Sequence, residues 1–347
     1  MEACSTKRLG DISAMIGNTP LLAIRFRYRG SLRCLYAKAE WYNLTGSIKD
    51  RVVFHILQKA VCSGALRPGD ILVEATSGNT GISLSALGRL LGHSVELFMP
   101  DWMSDERKNL LRSYGARVRL VSRDEGGFIG SVRRAREAGV QPGFFLPGQF
   151  TNPDNIEAHF LTTGDEIARQ MAQAGARPDA VVAGVGTGGT VMGIGRRLRR
   201  DNSSVRVYPL EPANSPILST GVCSGSHRIQ GISDEFVPDI LSLRELDEVL
   251  QVDDGDAIAM ARMLSQTLGL GVGISSGANF LGAVLAQERL GPRAAVVTVF
   301  SDDNKKYLST DYSREQTPQP GWLSPDIELL GVRALPAVQR TGAYAWH

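Results

Sequence analysis

One lysine of the sequence stands where an amine would have unusual chemistry. The segment LTGSIKDR (residues 44–51) leads into a helix predicted over residues 52–63, and Lys49 falls at its first turn. An ammonium group there faces the positive end of the helix dipole, which lowers the pKa of the amine. An amine of lowered pKa is what Schiff-base chemistry requires. The alternative is that Lys49 is an ordinary, solvent-exposed lysine at a helix start.

A glycine-rich turn follows the strand predicted at residues 180–183. It reads GVGTGGT (residues 184–190) and leads into another predicted helix. Its glycines let a ligand approach the backbone, its threonines add hydroxyl donors, and the helix start favours an anion. A phosphate monoester fits such a turn. Gly184, Gly186 and Gly189 also match the dinucleotide fingerprint, with Glu211 lying 22 residues after Gly189, and plain tight packing is a third alternative.

Two further turns carry hydroxyl and amide groups. TSGNTG (residues 76–81) follows a strand predicted at residues 71–74 and offers three hydroxyls and an amide, without a basic side chain. This set suits a small carboxylate better than a dianionic phosphate. A polar turn that only caps the helix is the alternative. GISSGA (residues 273–278) reads by itself as the ordinary capped start of a helix at residues 278–288.

The elements that position these turns alternate along the chain. Short apolar runs, most of them apolar on both faces, predict buried parallel strands at residues 35–39, 71–74, 95–99, 118–121, 143–146, 180–183, 205–210 and 295–300. Longer segments predict helices at residues 52–63, 82–91, 105–114, 155–172, 191–200, 254–266 and 278–288. This alternation is typical of an α/β fold with parallel sheets, in which anion sites gather at the carboxyl ends of the strands.

Composition excludes several classes of protein. The 347 residues are 43% hydrophobic and 21% charged with a net charge of +2, which argues against disorder and against a nucleic acid or a membrane surface as partner. The length suggests two domains. Without a recognisable signal peptide or membrane span, we expect a soluble, cytoplasmic protein. The cysteines form no CxxC pair and are expected to be free thiols rather than a metal site.

Together, the four motifs are specific. TGSIKDR, TSGNTG, GVGTGGT and GISSGA, in this order and spacing, resemble the cysteine synthase and cystathionine β-synthase family of fold-type II pyridoxal 5′-phosphate (PLP) enzymes. The similarity runs from about residue 12 to 310 and includes IGNTPL (residues 16–21), GQFTNPDN (148–155) and YLST (307–310). It implies two parallel-sheet α/β domains with PLP in the cleft between them, and it leaves the dinucleotide alternative little support.

The resemblance also implies a role for individual residues. Lys49 would carry PLP as an internal aldimine and act as acid and base at Cα. Asn79 would hydrogen-bond the 3′ oxygen of the cofactor, and Ser275 would meet the pyridine nitrogen. A serine there, rather than an aspartate, leaves that nitrogen largely unprotonated, which suits β-elimination more than transamination. The cofactor phosphate would be held by Gly186, Thr187, Gly188, Gly189 and Thr190. The substrate carboxylate would be held by Thr76, Ser77, Thr80 and Gln149.

The reaction implied by the resemblance is β-replacement through a bound aminoacrylate. O-acetylserine and sulfide, giving cysteine and acetate, are the default substrates. Other pairs stay open: O-phosphoserine as donor, thiosulfate giving S-sulfocysteine, homocysteine giving cystathionine, or an amine giving a diaminopropionate precursor. A catalytically silent homologue that binds a partner is a further alternative, against which the presence of Lys49, Asn79 and Ser275 speaks.

Three segments depart from the family pattern. These are WYNLT (residues 41–45), GISDEFVP (231–238) and SDDNKK (301–306), which would flank the substrate cleft. They leave the leaving group and the nucleophile open without affecting PLP. Arg228 is a candidate for binding an anionic substrate, with a solvated surface arginine as the alternative.

Domain boundaries and assembly are further expectations. We expect a smaller, mobile, substrate-closing domain at residues 48–155, a larger PLP-binding domain from residues 1–47 and 156–310, and a homodimer. Residues 311–347 lie outside the shared region, and four prolines make them a poor candidate for a sheet strand or a long helix. Clustered apolar residues predict that residues 321–332 pack on their own subunit or across the dimer, with the residues after Pro336 less ordered.

Overall fold

Strands and helices alternate through most of the chain. The computed structural model describes residues 2–76 and 78–337, with side chains from residue 6 onward. The helices are α1 (Glu2–Ile12), α2 (Lys49–Cys62), α3 (Asn79–Leu91), α4 (Asp105–Ser113), α5 (Gly127–Gly139), α6 (Asp154–Ala158), α7 (Asp165–Gln173), α8 (Gly189–Asp201), α9 (Ile217–Thr220), α10 (Asp254–Leu268) and α11 (Ile274–Leu290). The strands are β1 (Leu21–Tyr28), β2 (Ser31–Ala39), β3 (Ile71–Ala75), β4 (Val95–Pro100), β5 (Arg117–Val121), β6 (Phe144–Phe145), β7 (Ala180–Gly184), β8 (Arg206–Pro212), β9 (Leu250–Val252), β10 (Val296–Phe300) and β11 (Ile327–Leu335).

The strands form two sheets. The larger sheet has the order β11-β1-β2-β10-β7-β8-β9, and the smaller sheet has the order β5-β4-β3-β6. β1 is antiparallel to its neighbours β2 and β11, whereas the other pairs are parallel. The predicted α/β fold with parallel sheets is therefore confirmed. The antiparallel edge of the larger sheet was not predicted.

Apolar side chains cover both faces of each sheet. In the larger sheet, α10 and α11 pack on one face while α7 and α8 pack on the other. In the smaller sheet, α2 and α3 cover one face and α5 covers the other. Strands such as β7 and β10 are accordingly buried along almost their whole length. The turns at the carboxyl ends of the strands are left to form a site.

The helix predicted over residues 155–172 is interrupted. His159–Gly164 forms a π-helical turn between α6 and α7. Gly193 of α8 packs so closely on this region that a Cβ there would lie 2.5 Å from the carbonyl oxygen of Ile156. The widened turn places His159 Nε2 3.2 Å from Thr190 Oγ1, at the start of α8. Such turns often occur at functional sites, and this one contacts the glycine-rich turn.

The prediction that residues 311–347 form no sheet strand is wrong. β11 lies between Pro325 and Pro336, so that no proline interrupts its ladder with β1. Residues 321–332 pack on their own chain, since the backbone N–H groups of Leu323 and Ser324 also donate to the Asp256 carboxylate. Residues 338–347 lie outside the described part of the chain, and with them most of the segment expected to be less ordered.

The cysteines whose side chains the structure describes are free. Cys34, Cys62 and Cys223 make no disulfide, which confirms the prediction for these three, and Cys4 has no described side chain. Among the described residues, no helix has the length and apolar character needed to cross a membrane. The expected cytoplasmic location stays a prediction.

Leu329→Ala tests the contribution of β11 to stability. Leu329 is 8% exposed and pairs with Phe26 of β1, whereas the adjacent Leu330 is 36% exposed. We expect Leu329→Ala to lower the free energy of unfolding by about 2–4 kcal/mol, because it leaves a cavity beneath the antiparallel edge. Leu330→Ala is the matched control, with an expected loss of about 0.5 kcal/mol or less. Urea denaturation measures both, and equal losses would contradict the assigned role of β11.

Candidate active site

The carboxyl ends of strands from both sheets open on one cleft. Thr76 follows β3, Gly186 follows β7 and Ser301 follows β10, and all three line the cleft. Ten of the predicted site residues line it, namely Lys49, Thr76, Asn79, Thr80, Gln149, Gly186, Thr187, Gly188, Thr190 and Ser275. Gly189 packs against the side chain of Asn155 instead, and Ser77 lies outside the described residues. The four turns therefore converge, as a single ligand requires.

Lys49 is the first residue of α2, and its side chain lines the cleft. The start of the helix is tied to the larger sheet, because the N–H of Ile48 donates to the carbonyl oxygen of Ser301 at 2.9 Å. Burial lowers the pKa of the Lys49 amine, against the opposing effect of the carboxylates of Asp234 and Asp302. The predicted lowered pKa thus has burial as its cause. An amine in this state can act as a nucleophile or a base.

The turn between β7 and α8 forms a cradle of backbone N–H groups. Among the described residues, no acceptor is hydrogen-bonded to the backbone N–H of Gly186, Thr187 or Gly188. Gly188 has φ +86°, and a Cβ on Gly186 would lie 2.5 Å from the carbonyl oxygen of Gly231, so that both positions require glycine. Unpaired N–H groups at a helix start are the donors that a phosphate needs. The cradle therefore fits the phosphate of PLP.

The hydroxyls of the cradle are held in place by neighbouring side chains. Thr187 Oγ1 accepts a hydrogen bond from Asn155 Nδ2 at 2.9 Å, which leaves its own proton for an anion. Thr190 Oγ1 contacts His159, and burial lowers the pKa of this imidazole well below its usual value. His159 is therefore neutral at physiological pH, and it supports the turn without adding a charge.

The turn after β3 is braced by Gln149. Thr80 Oγ1 donates to Gln149 Oε1 at 2.6 Å, and Gln149 Nε2 donates to the carbonyl oxygen of Ala75 at 2.7 Å. The buried Glu74 accepts from the backbone N–H of Gln149 and two other residues, and burial raises the pKa of its carboxyl to about 7. Thr76 Oγ1 accepts from two N–H groups of the turn. The hydroxyl proton of Thr76 and one amide hydrogen of Gln149 remain for a substrate carboxylate.

Asn79 and Ser275 stand at the starts of two other helices. Asn79 is the first residue of α3, and Ser275 is the second residue of α11, which begins earlier than the predicted residue 278. Both line the cleft. The Asn79 amide contacts the carboxylate of Asp302 and the ammonium group of Lys306. The third turn, which alone read as an ordinary helix cap, thus contributes a hydroxyl to the site.

Asp234, Arg107 and Tyr307 also line the cleft, although they were not among the predicted site residues. Burial raises the pKa of the Asp234 carboxyl to about 6, with the Lys49 amine opposing the shift. Arg107 of α4 lies over the Tyr307 ring, 5.5 Å from its centre. Asp234 falls in GISDEFVP, so the departure of this segment from the family pattern was the available signal. Arg107 carried no signal, because an arginine in an amphipathic helix usually faces solvent.

Arg228 does not belong to the cleft. Its guanidinium pairs with Asp254 at 2.5 Å and donates to Gln316 Oε1 at 2.9 Å, and its side chain is 40% exposed. The hypothesis that Arg228 binds an anionic substrate is therefore not supported, and its surface alternative describes the residue.

Known proteins identify the family. A family model described as pyridoxal-phosphate dependent enzyme matches residues 12–302. The chain belongs to this family. It is 38% identical to cysteine synthase from Staphylococcus aureus over 304 residues, which cover 88% of this chain and 97% of that relative. The solved hydrogen sulfide-producing enzyme from Fusobacterium nucleatum is 52% identical, with 95% of this chain and 99% of that chain covered and a TM-score of 0.93.

A third similar protein confirms the fold type. The solved cysteine synthase from Entamoeba histolytica is 31% identical, with 91% of this chain and 93% of that chain covered and a TM-score of 0.80. The fold-type II architecture, the PLP cofactor and the assignment as a PLP-dependent β-replacement enzyme are thereby confirmed. The dinucleotide alternative for GVGTGGT is wrong.

Lys49→Ala tests the assignment of the cofactor lysine. We expect this variant to fold but to bind PLP without a covalent link, because Lys49 is the amine that lines the cleft at a helix start. Borohydride reduction and peptide mass spectrometry measure the covalent attachment. Lys59→Ala is the control, since Lys59 lies in the same helix but pairs with Glu157. PLP trapped on another lysine would contradict the assignment.

A double replacement, Thr187→Ala with Thr190→Ala, tests the phosphate cradle. Each hydroxyl bound to a phosphate should contribute about 1.5–3 kcal/mol, so that the PLP dissociation constant should rise by about a hundredfold or more. Equilibrium dialysis of the apoprotein against PLP measures this constant. Thr220→Ala, at an exposed site in α9, is the control. Wild-type PLP affinity in the double variant would refute the cradle.

Proposed function

We propose that the protein releases sulfide from the Cβ of cysteine, in a β-replacement reaction in which a second nucleophile takes the place of the sulfur. The proposal rests on the position of Asp234 in the cleft and on the pKa of its carboxyl. Its carboxyl lines the cleft, acts electrostatically on the Lys49 amine, and has a pKa raised by burial to about 6. A carboxyl in this range can donate and accept a proton near neutral pH.

The leaving group decides whether such a proton donor is needed. Acetate departs as a weak base, since carboxylic acids ionise near pH 4, and it needs no proton from the enzyme. Hydrosulfide, the group that leaves when the Cβ–S bond of cysteine breaks, is a stronger base than acetate, and it departs more readily when it is protonated. A titratable carboxyl in the cleft therefore supports a sulfur leaving group over acetate.

Similar proteins support the same proposal. The structure with 52% identity is a hydrogen sulfide-producing enzyme, and a substituted form of it has been solved with an α-aminoacrylate intermediate. Aminoacrylate is what remains of cysteine once the sulfur has left Cβ. The identity of this neighbour exceeds the 38% of the cysteine synthases from Staphylococcus aureus.

Each residue of the site has its own role in the proposed reaction. PLP supplies the electron sink that makes the Cα proton acidic. Lys49 removes that proton and returns it after the nucleophile has added. Thr76 and Gln149 donate to the substrate carboxylate, and Thr80 holds the Gln149 amide in place. Asp234 gives its proton to the departing sulfur, which leaves as hydrogen sulfide. The nucleophile then gives its own proton to Asp234, so that the carboxyl is restored.

The proposed reaction also requires the cleft to close over the substrate. The turn that would bind the substrate carboxylate belongs to residues 48–155, which carry the whole smaller sheet. We expect these residues to move as one unit toward the larger sheet when the carboxylate binds, and thereby to exclude water. The homodimer and the cytoplasmic location stay predictions.

Cysteine synthesis from O-acetylserine and sulfide is the second candidate. The cysteine synthases of Staphylococcus aureus and the probable cysteine synthase of Bacillus subtilis, 38% and 39% identical, favour it. Both reactions use the same cleft and differ in which group leaves Cβ. Comparing kcat/KM for sulfide release from cysteine with that for cysteine formation from O-acetylserine distinguishes them.

Asp234→Asn tests the proposed proton donor. We expect sulfide release from cysteine to fall by about a hundredfold, because an amide cannot act as a general acid. Turnover of O-acetylserine, whose leaving group needs no proton, should change little. Sulfide is measured colorimetrically, and acetate by a coupled assay.

Asp239→Asn is the matched control, since Asp239 is an exposed carboxylate five residues further along the chain. It should leave both reactions unchanged. If Asp234→Asn slows the turnover of cysteine and of O-acetylserine equally, Asp234 acts elsewhere than on the leaving group. An undiminished release of sulfide would refute the proposal.

A further inference from the structure

The side-chain amide of Asn79 is held between two opposite charges. Asn79 Nδ2 donates to Asp302 Oδ2 at 2.7 Å, and Asn79 Oδ1 accepts from Lys306 Nζ at 3.0 Å. Asp302 is fully buried and Lys306 is 8% exposed. Both lie just beyond β10, in the SDDNKK segment that departs from the family pattern, whereas Asn79 begins α3 on the other side of the cleft.

These two charges are themselves fixed. Tyr307 donates its hydroxyl proton to Asp302 Oδ2 at 2.5 Å, and Lys306 also donates to the carbonyl oxygen of Gly46 at 3.2 Å. Gly46 immediately precedes Ser47, which forms a bridge with Asp302. The ammonium group is therefore anchored to the segment that leads into α2, and the carboxylate is anchored to Tyr307.

The arrangement allows one orientation of the amide. Turning the Asn79 amide over would place its oxygen against the Asp302 carboxylate and its NH₂ group against the Lys306 ammonium. Both contacts would then be repulsive, and both hydrogen bonds would be lost. In the orientation that remains, one N–H is used by Asp302. The other N–H is available to a ligand, and Asn79 lines the cleft.

We propose that Asp302 and Lys306 are positioning residues that hold the free N–H of Asn79 toward the 3′ oxygen of PLP. The inference rests on the assignment of Asn79 to that oxygen. Lys306 adds a second effect, because a cation on the amide oxygen polarises the amide and strengthens the N–H as a donor. Asp302 and Lys306, which are not among the residues that line the cleft, thereby act on the cofactor through Asn79.

A double-mutant cycle on the PLP-loaded protein tests this inference. The variants are Lys306→Met, Asn79→Ala and the two combined, and the readouts are the visible absorbance maximum and the PLP dissociation constant. Lys306→Met should shift the absorbance in the same direction as Asn79→Ala and raise the dissociation constant by about tenfold. If Lys306 acts through Asn79, the combined variant should match Asn79→Ala alone.

The controls separate positioning from a structural role. Lys305→Met removes the adjacent, exposed lysine and should change neither readout. Lys306→Arg keeps the cation and should restore the absorbance maximum. If Lys306→Met does not fold, Lys306→Gln takes its place in the cycle. A loss of thermal stability with unchanged absorbance and PLP affinity would overturn the inference, as would additive effects of the two replacements. Wild-type absorbance in Asn79→Ala would overturn the assignment of Asn79 itself.

Discussion

A buried ion-pair network fixes the helix start on which the site depends. Arg51, two residues after Lys49 in α2, is fully buried. Its guanidinium lies 2.6 Å from Glu40 and 2.7 Å from Glu166, and Lys38 lies 2.7 Å from Glu166. Removing one partner of such a pair costs about 3–5 kcal/mol, because the other charge is left buried without compensation. Since Glu40 follows β2 and Glu166 lies in α7, the network ties the helix that carries Lys49 to the larger sheet.

Burial has opposite consequences in this network and in the cleft. It raises the pKa of Glu166, but Arg51 and Lys38 more than reverse the effect and keep the carboxyl ionised. Lys49 and Asp234 form no ion pair within the part of the chain that the structure describes. Burial therefore prevails there, lowering the pKa of the amine and raising that of the carboxyl. Paired buried charges hold the fold, whereas Lys49 and Asp234 keep the perturbed pKa values that the proposed proton transfers would need.

The elements predicted best from the sequence are those that hydrophobic periodicity and the residue types of a turn determine. Strand β7 and the turn after it were located to within a residue, because an apolar run that ends in a glycine-rich turn is typical of a buried strand. β11 was missed, since the prolines on either side of it masked the strand that lies between them. Arg107 was missed for a different reason, since it is a charged residue of an amphipathic helix that only tertiary packing brings into the cleft. Asp234 was not singled out either, although its segment was expected to flank the cleft.

Two kinds of position contribute to the site, namely helix starts and loops. Lys49 and Asn79 begin helices, as does the glycine-rich turn, and a helix start is a rigid site whose N–H groups suit an anionic cofactor. Asp234 and Lys306 come from the segments that depart from the family pattern, and both act on residues of the first kind. Loops can change without disturbing the sheets beneath them. The helix starts therefore fit the class of reaction, while under the proposed function the loops facing them decide which group leaves Cβ.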